Sequence, residues 1–255
     1  MAKNIAVFTG ASSGIGREFV RQINSSRTFD EIWLIARRRD RLEELVSSLR
    51  SPAKILELDL RRKEDLESYK ATLAAEQPNI VLFVNAAGFG LFGAFSEMDI
   101  DAQTAMIDLN AKALTVMTYL TLPYMTKGAE VYELGSLSAF QPVPYIAVYS
   151  ASKAYVLSFT RAVGREVKPR GIRMMAVCPF WVKTEFFDHA VHDDTISYYA
   201  VFYTAEQVVR RAIKDMKKGR DLSVVGKIAY AQMLLVKFLP HRLIMALWCK
   251  QQKKP

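Results

Sequence analysis

Cysteine and histidine are scarce in this chain. Its 255 residues include two cysteines, Cys178 and Cys249, and three histidines. Two distant cysteines make no disulfide framework and lack the spacing of metal ligands, so a reducing compartment fits the composition best. The sequence also lacks a repeat, a low-complexity segment and a linker, and its length is ordinary for one α/β domain. The first residues run directly into an apolar strand, so we expect no signal peptide and a cytoplasmic protein.

Acidic side chains are absent from residues 226–255. This segment holds five lysines and one arginine, which account for +6 of the net charge of +9. Residues 1–225 therefore carry only +3. Because the basic excess is confined to one end of the chain, the charge pattern excludes a general nucleic-acid-binding protein.

A glycine-rich loop follows the first apolar strand. Residues 5–8 are rich in strand formers, and residues 9–16 lead from them into a helical pattern. Glycines at such a turn let backbone amides approach a pyrophosphate at the helix N-terminus. The spacing is Gly10-x-x-x-Gly14-x-Gly16, and its place after the first strand of an alternating β/α chain indicates a dinucleotide site. The candidate contacts in this loop are Gly10, Ser12, Ser13, Gly14, Ile15 and Gly16.

Arginines follow the second predicted strand, residues 31–36. An NAD-binding fold usually offers an acid here for the ribose 2′-hydroxyl, whereas arginine suits a 2′-phosphate. The chain has no acid at Ala36 or Arg37, so Arg37 and Arg38 favour NADP(H). The alternative is a solvated basic start of a helix, because residues 40–49 are amphipathic.

The rest of the chain alternates strands with helices. Strand patterns occur at residues 54–58, 80–84, 130–134, 172–178 and 222–225, and helical patterns at residues 63–75 and about 99–126. The alternation predicts an α/β fold, with a doubly wound parallel sheet of about seven strands and helices on both faces. Ligands bind such sheets at the carboxyl ends of the strands. The residues that fall at these ends are Gly10, Arg37, Asp59, Gly88, Ser136 and Pro179.

Tyr149 and Lys153 stand four residues apart in a helical pattern, so they share one face. An ammonium near a phenol favours the phenolate, so we expect Lys153 to lower the pKa of Tyr149. The pair then makes a general acid or base for an alcohol or a ketone. Ser136, which follows a strand, is placed to bind the same oxygen. The alternative, a pair on a solvated helix face, is weakened by Ser136 and by the glycine loop.

Residues 180–203 hold eight aromatic side chains just after a strand end. A core helix would explain several of them, but this density is more typical of a lid over an apolar ligand. The eight are Phe180, Trp181, Phe186, Phe187, Tyr198, Tyr199, Phe202 and Tyr203. The candidate substrate contacts are Ser136, Phe140, Tyr149, Phe180 and Phe187.

The three histidines, His189, His192 and His241, lie outside every motif. His189 and His192 with Asp193 have the helical spacing of metal ligands. A solvated loop face explains these three residues better, and we expect no metal.

Together these motifs resemble those of the short-chain dehydrogenase/reductase family, over the chain to about residue 225. The motifs are residues 9–16, Asn85-Ala86-Ala87-Gly88, Asn110, Ser136, Tyr149-x-x-x-Lys153 and residues 179–184. The resemblance implies a single Rossmann-like domain, a nicotinamide cofactor and the interconversion of ketones and alcohols. One departure is Phe180, which places a ring where the family keeps a glycine after Pro179.

The resemblance also implies residue roles. Tyr149 is the proton donor or acceptor, Lys153 lowers its pKa and holds the nicotinamide ribose, and Ser136 positions the substrate oxygen. Asn110 supports a water that links Lys153 to solvent, and Asp59 meets the adenine. The other implied cofactor contacts are Leu60, Asn85, Ala86, Gly88, Pro179, Val182 and Thr184.

These observations favour an oxidoreductase that uses NADP(H) on a bulky apolar ketone or secondary alcohol, with a hydroxysteroid as first candidate because the lid is aromatic. One alternative is a 3-oxoacyl thioester reductase, which would need a basic patch for the carrier arm. Another is a non-catalytic cofactor-sensing scaffold, against which the intact Asn110, Ser136, Tyr149 and Lys153 set argues. We expect a homodimer or a homotetramer.

We expect a catalytic domain over residues 1–225, with its lid at about residues 180–203, followed by a basic, apolar tail over residues 226–255. In the tail, apolar segments at residues 228–236 and 243–248 are separated by Lys237 and Pro240. A spanning helix needs about 20 apolar residues, so this tail is too interrupted to span. Two interpretations stay open, which are contact with an anionic lipid surface and packing on the pocket or on a partner subunit.

Overall fold

The chain folds around one parallel sheet. The computed structural model describes residues 2–190 and 195–254, without the side chains of residues 188 and 189. Within these ranges the strands are β1 (Asn4–Thr9), β2 (Glu31–Ala36), β3 (Ala53–Glu57), β4 (Asn79–Asn85), β5 (Glu130–Leu134), β6 (Arg173–Val177), β7 (Trp181–Lys183), β8 (Phe202–Thr204) and β9 (Leu222–Ser223). Seven of these strands form a sheet in the order β3-β2-β1-β4-β5-β6-β9, and β7 pairs with β8 alone. This order is that of a doubly wound fold, so the predicted fold class is confirmed.

Helices cover both faces of this sheet. The described helices are α1 (Gly14–Ser26), α2 (Arg39–Val46), α3 (Lys63–Glu76), α4 (Ile100–Ile107), α5 (Leu114–Thr121), α6 (Ala147–Val167), α7 (Phe186–Ala190), α8 (Ala205–Lys217), α9 (Lys227–Leu235) and α10 (His241–Gln251). Successive residues of a strand point to opposite faces. Ala6 and Phe8 therefore pack with α1, α2 and α8, whereas Ile5 and Val7 pack with α3, α5 and α6. Burial on both faces explains why the strands are nearly continuous apolar runs.

The long helix predicted over about residues 99–126 is found as one continuous helical stretch over residues 100–124, with two local departures from α-helical geometry. A π-helical turn, Asp108–Ala113, joins α4 to α5, and a short 3-10 turn, Leu122–Tyr124, follows α5. Pro123 lies in the 3-10 turn and has no backbone N–H to continue the α-helix. Single π-helical turns are frequent at functional sites, and this one carries Asn110.

The C-terminal helices pack on the domain through one side each. Ala229 and Met233 of α9 are buried beside Cys178 of the sheet end. From α10, the Trp248 indole N–H donates a hydrogen bond of 3.0 Å to the Pro144 carbonyl. Just after α10, the side-chain oxygen of the buried Gln252 accepts the backbone N–H groups of residues 197 and 198. In the described part of the chain, no helix is both long enough and apolar enough to cross a bilayer.

A buried polar network links β1, β4, β5 and α5. The Thr9 hydroxyl donates to the Asn85 side-chain oxygen at 3.0 Å, and the Asn85 amide donates to the Leu114 carbonyl at 3.1 Å. Glu133 lies opposite Asn85 in the β4–β5 register. Its Oε1 accepts a hydrogen bond of 2.8 Å from the Thr118 hydroxyl. The network holds the carboxyl ends of three neighbouring strands together.

Glu133 is the costly member of this network. It is fully buried, and its Oε2 has no hydrogen-bond partner among the described residues. Burial raises the pKa of Glu133 to about 8, against the opposing hydrogen bonds from Thr118 and Asn85 and the more distant charge of Lys153. A buried carboxyl that lacks water is more stable in its neutral form.

Replacing Glu133 with glutamine should make the free energy of unfolding less sensitive to pH. A group whose pKa is raised on folding contributes stability that is complete below its unfolded pKa and is lost as pH rises through the folded pKa. For Glu133 this window runs from about 4.5 to about 8. Between these limits Glu133→Gln should gain at least about 1 kcal/mol relative to the wild type, since one pKa unit corresponds to about 1.4 kcal/mol.

Urea unfolding near both ends of that window measures this difference. Glu57→Gln, which changes an exposed carboxylate at the end of β3, is the matched control and should show no such trend. A Glu133→Gln effect that stays constant with pH would contradict the raised pKa.

Candidate active site

A cavity of about 490 Å³ opens at the carboxyl ends of the strands. It collects residues from the loops after β1, β2, β4, β5 and β6, as expected for a doubly wound sheet. The predicted site residues that line it are Gly10, Ser12, Ser13, Gly14, Ile15, Gly16, Arg37, Arg38, Asp59, Leu60, Ala86, Gly88, Ser136, Tyr149, Lys153, Pro179, Phe180, Val182, Thr184 and Phe187.

The loop before α1 forms a cradle that only glycine permits. Gly10 has φ of +66°, and a Cβ there would lie 2.9 Å from the backbone of Ala86. A Cβ on Gly16 would lie 2.3 Å from the Gly10 carbonyl oxygen. The first turn of α1 contains no acidic residue, and the Ser13 side chain makes no capping hydrogen bond. The free N–H groups and the positive end of the helix dipole therefore suit a pyrophosphate.

Arg38 is the arginine held at the cavity wall. Its guanidinium donates to Glu185 Oε2 at 2.9 Å and to Ser12 Oγ at 3.2 Å. Arg41 forms a second ion pair with Glu185, so this carboxylate bridges the start of α2 and the segment before α7. The hydrogen bond from Arg38 is the largest cause that lowers the pKa of Glu185. Sequence reasoning missed Glu185, although it directly follows Thr184 in the motif.

Arg37 and Asp59 lie on the more solvent-exposed side of the cavity, near Arg38. The Arg37 side chain is 64% exposed and stands 3.9 Å from Asp59. Asp59 is engaged by Arg61, whose guanidinium donates to both carboxylate oxygens. This side-chain hydrogen bond is the largest cause that lowers the pKa of Asp59.

Ser136, Tyr149 and Lys153 meet at the centre of the cavity. Ser136 lies close enough to Tyr149 to lower the pKa of the phenol, and the Ser138 hydroxyl donates to Ser136 Oγ at 3.0 Å. Lys153 Nζ donates to the Leu134 carbonyl at 2.8 Å and lies 5.7 Å from the centre of the Tyr149 ring. Helix α6 presents Tyr149 and Lys153 on one face, and β5 ends just before Ser136.

The expected lowering of the Tyr149 pKa by Lys153 is not found, and that expectation is corrected. Burial raises the pKa of Tyr149 to about 12, and the nearby Ser136 hydroxyl offsets only part of this effect. Burial likewise lowers the pKa of Lys153 to about 8. The physical reason is that loss of water disfavours the charged form of each group. In this environment the neutral phenol is the stable form near neutral pH.

Asn110 lies behind the cavity, outside its described lining. Its side-chain oxygen accepts the Phe89 N–H at 3.0 Å, and its amide donates to the Phe89 carbonyl at 2.8 Å and to Ser152 Oγ at 3.1 Å. A Cβ on Gly88 would lie 2.8 Å from Asn110 Oδ1 and 3.4 Å from Lys153 Nζ. Asn110 therefore clamps the turn beside Lys153, and its role toward a water stays a prediction.

Aromatic rings form the wall next to Tyr149. The Tyr149 ring centre is 5.6 Å from that of Phe186 and 6.3 Å from that of Phe92. Phe92 in turn contacts Trp181 and Phe187 at 6.0 and 6.4 Å. The predicted lid segment thus contributes rings to the cavity within its described part. Tyr198, by contrast, is 47% exposed and outside the described lining.

Sequence reasoning also missed Phe92, Gln232 and Trp248 among the residues that line the cavity. Phe92 lies in the loop after β4, and its position past a strand end was an available signal. Gln232 from α9 and Trp248 from α10 line the cavity from the tail. No local pattern marks these two, because only tertiary packing brings the tail to the site.

Other predicted site residues lie elsewhere. Asn85 belongs to the buried network described above rather than to the described lining. Phe140 packs on the cluster formed by the sheet end and α9, so its predicted substrate contact is not seen. His192 and Asp193, and the side chain of His189, lie outside the described residues. Among the described residues, no three His, Cys, Asp or Glu side chains are grouped to hold a metal.

Comparison with known proteins places the chain in a family. A model described as short chain dehydrogenase matches residues 4–195. An oxidoreductase of Staphylococcus epidermidis is 30% identical over 184 residues, which are 71% of this chain and 79% of that protein. The very-long-chain 3-oxoacyl-CoA reductase of Bos taurus is 30% identical over 193 residues, which are 71% of this chain and 60% of that protein.

A solved structure agrees with these sequence matches. The short-chain dehydrogenase from Sphingobium yanoikuyae in complex with NADPH has a TM-score of 0.77 at 25% identity. The similarity covers 93% of this chain and 96% of that one. The matched span contains the glycine loop, Asn110, Ser136, Tyr149 and Lys153. The resemblance seen in the motifs is thereby confirmed, and the chain belongs to the short-chain dehydrogenase family.

Proposed function

We propose that the chain is an NADP(H)-dependent reductase that converts a bulky apolar ketone into its secondary alcohol. The observation that carries this proposal is the convergence of Ser136, Tyr149 and Lys153 between the α1 cradle and a wall of aromatic rings. A bound nicotinamide supplies the hydride. The side chains of this protein hold the cofactor, orient the carbonyl and deliver a proton.

The end of β2 supports NADP(H) over NAD(H). Arg38 is held at the cavity wall by Ser12 and Glu185, where its fork of donors suits a 2′-phosphate. The strand ends at Ala36, so it offers no carboxylate to a ribose 2′-hydroxyl. The related structure from Sphingobium yanoikuyae holds NADPH, which agrees with this choice.

Tyr149 is the proposed proton donor in ketone reduction. Burial raises its pKa to about 12, so near neutral pH the phenol holds the proton that a carbonyl oxygen would receive. The Ser136 hydroxyl is placed to bind the same oxygen as negative charge develops on it. Proton transfer leaves a phenolate on Tyr149. The protonated form of Lys153, whose Nζ lies 5.7 Å from the ring centre, stabilises this phenolate.

The aromatic wall supports a bulky apolar substrate, and a hydroxysteroid or its ketone is our first candidate. Phe92, Phe186, Phe187 and Trp248 line the cavity, and rings of this kind bind flat apolar surfaces. Residues 191–194 of the predicted lid lie outside the described structure. The proposal therefore depends on the four rings named here.

A second candidate is a 3-oxoacyl thioester reductase. The 30% identity to the very-long-chain 3-oxoacyl-CoA reductase of Bos taurus favours it. A coenzyme A arm needs cations for its phosphates, yet the cations in the described lining are Arg37, Arg38 and Lys153. The first two lie at the cofactor end and the third is buried, so a simple ketone fits better. A non-catalytic cofactor sensor is disfavoured by the complete set of acid–base residues.

We further propose a cytoplasmic homodimer, or a homotetramer of two such dimers. Three large apolar side chains near or on α5 and α6 are exposed, with Ile107 at 48%, Tyr119 at 75% and Tyr155 at 44%. Exposed aromatic residues of this kind are enriched at subunit interfaces. The two cysteines are unpaired, which suits a reducing compartment.

Tyr149→Phe should abolish most ketone reduction. The change removes one hydroxyl, and loss of a general acid typically lowers the rate by about 10²–10⁴. NADPH oxidation with a panel of ketones measures the rate, and nucleotide fluorescence measures cofactor binding, which should change little. Tyr155→Phe on the same helix is the matched control. Near-normal turnover by Tyr149→Phe would show that another group supplies the proton.

Arg38→Ala should weaken NADP(H) binding by about 10- to 150-fold, because a hydrogen bond to a charged group contributes roughly 1.5–3 kcal/mol. NAD(H) affinity should stay within a small factor. Arg37→Ala should have a smaller effect, since Arg37 is more exposed and lacks the contacts to Ser12 and Glu185. Titration of each variant with both cofactors decides this point. An equal loss for NAD(H) and NADP(H) would overturn the assignment of Arg38.

Phe187→Ala should raise KM for ring-bearing ketones by about tenfold, because burying a phenylalanine side chain contributes roughly 1.5–3 kcal/mol. Small ketones that do not reach Phe187 should be affected less. Tyr198→Ala, an exposed ring of the same segment, is the control and should leave both KM values unchanged. A Phe187→Ala effect that is the same for large and small ketones would assign Phe187 to the core.

A further inference from the structure

Helix α9 is apolar on both of its sides. Ala229, Met233 and the following Val236 are buried against the domain. Ile228 and Leu235, seven residues apart, are each 57% exposed on the opposite side. A helix that is apolar all round normally lies in a core or in lipid. The domain covers only the inner side of α9, so its outer side lacks a cover among the described residues.

The same pattern continues into α10. Its inner side is held by Ile244, which is buried, and by the Trp248 hydrogen bond to Pro144. Its outer side carries Leu243 and Leu247, which are 47% and 49% exposed. Between the two helices stands Phe238, which at 83% is the most exposed large apolar residue in the described structure. Ile228, Leu235, Phe238, Leu243 and Leu247 are named the tail face below.

Positive charge surrounds the tail face. Residues 226–255 carry five lysines, one arginine and no acid. Lys227, Lys237, Arg242 and Lys250 are exposed and make no salt bridge to a described residue. Apolar side chains bordered by unpaired cations match an anionic bilayer surface, where each cation near the lipid adds to the attraction. We propose that α9 and α10 dock the enzyme on an anionic lipid bilayer through the tail face.

A second copy of the chain is a poorer occupant. A symmetric contact through the tail face would bring two sets of six cations together without one acid from either segment. A spanning segment is also unsuitable. The two helices have nine and eleven residues, so each is shorter than the roughly 30 Å of a bilayer core at about 1.5 Å per residue. The tail face therefore lies in the plane of the interface.

Docking would bring the substrate end of the cavity to the lipid. Gln232 and Trp248, from the inner sides of α9 and α10, line that cavity. An apolar ketone concentrates in a bilayer, so entry beside these helices shortens its path to Tyr149. This entry route rests on the proposed substrate class, whereas the docking itself does not.

Vesicle co-sedimentation of the full-length protein tests the docking. We expect binding to vesicles of phosphatidylcholine with phosphatidylglycerol at low salt, and little binding to phosphatidylcholine alone. Phe238→Ser should lower the bound-to-free ratio by about fivefold or more through lost apolar contact. Lys237→Glu should lower it by at least about fivefold and should reduce its dependence on salt.

Two controls separate a loss of lipid binding from misfolding and from a failure of the proposed activity. Phe95→Ser changes an equally isolated ring, 61% exposed, away from the tail, and should bind vesicles like the wild type. Phe238→Ser should keep its circular dichroism and its NADPH oxidation with a water-soluble ketone. If the enzyme fails with every ketone but still binds anionic vesicles, the docking stands and the proposed function falls.

Three results would overturn the docking proposal. The wild type could stay in the supernatant with anionic vesicles at low salt. Phe238→Ser could bind as well as the wild type. Light scattering could show that Phe238→Ser splits an oligomer, which would assign the tail face to contact between copies.

Discussion

The hydrogen bond between Thr9 and Asn85 sets the spacing of the two halves of the active site. It joins the ends of β1 and β4. The cofactor loop follows β1, and the turn that packs against Lys153 follows β4. The backbone of Gly10 then approaches Ala86 so closely that no side chain fits at residue 10. Because the Thr9–Asn85 hydrogen bond is buried, its loss would leave buried polar groups unpaired beside the turn that aligns the cofactor cradle with Tyr149 and Lys153.

Loss of water explains the chemistry of the centre as well as its geometry. Lys153 and Glu133 are buried and Tyr149 is half-buried, and loss of water drives each of them toward its neutral form. In the proposed reaction the phenol gives up its proton, and this transfer creates charge in a place that otherwise disfavours charge. Ser136 and Lys153 offset that cost only when the oxygen and the ring take up negative charge. The protein thus favours the charged state late in the reaction rather than before it.

Sequence patterns were sufficient to predict those parts of the site that are built from residues close together in the chain. The glycine cradle, Ser136 and the Tyr149–Lys153 pair could be predicted because each depends on residue type, spacing and a strand end. The parallel sheet with helices on both faces also followed from the alternation of strands and helices, whereas the order of its strands comes from the structure. The direction of the Tyr149 pKa could not be predicted, since it depends on how many rings exclude water from the phenol. Trp248 could not be placed either, because its contact joins segments about a hundred residues apart.

Glu185 connects the cofactor end of the cavity with its substrate end. It binds Arg38 and Arg41 at the cofactor end, and it directly precedes α7, whose rings form part of the substrate wall. An anion that took the place of Glu185 on Arg38 would remove one restraint on the segment that leads into α7. Such coupling is reciprocal. If the anion changes the affinity for substrate by some factor, the substrate changes the affinity for the anion by the same factor. One carboxylate thus makes the two ends of the cavity energetically interdependent.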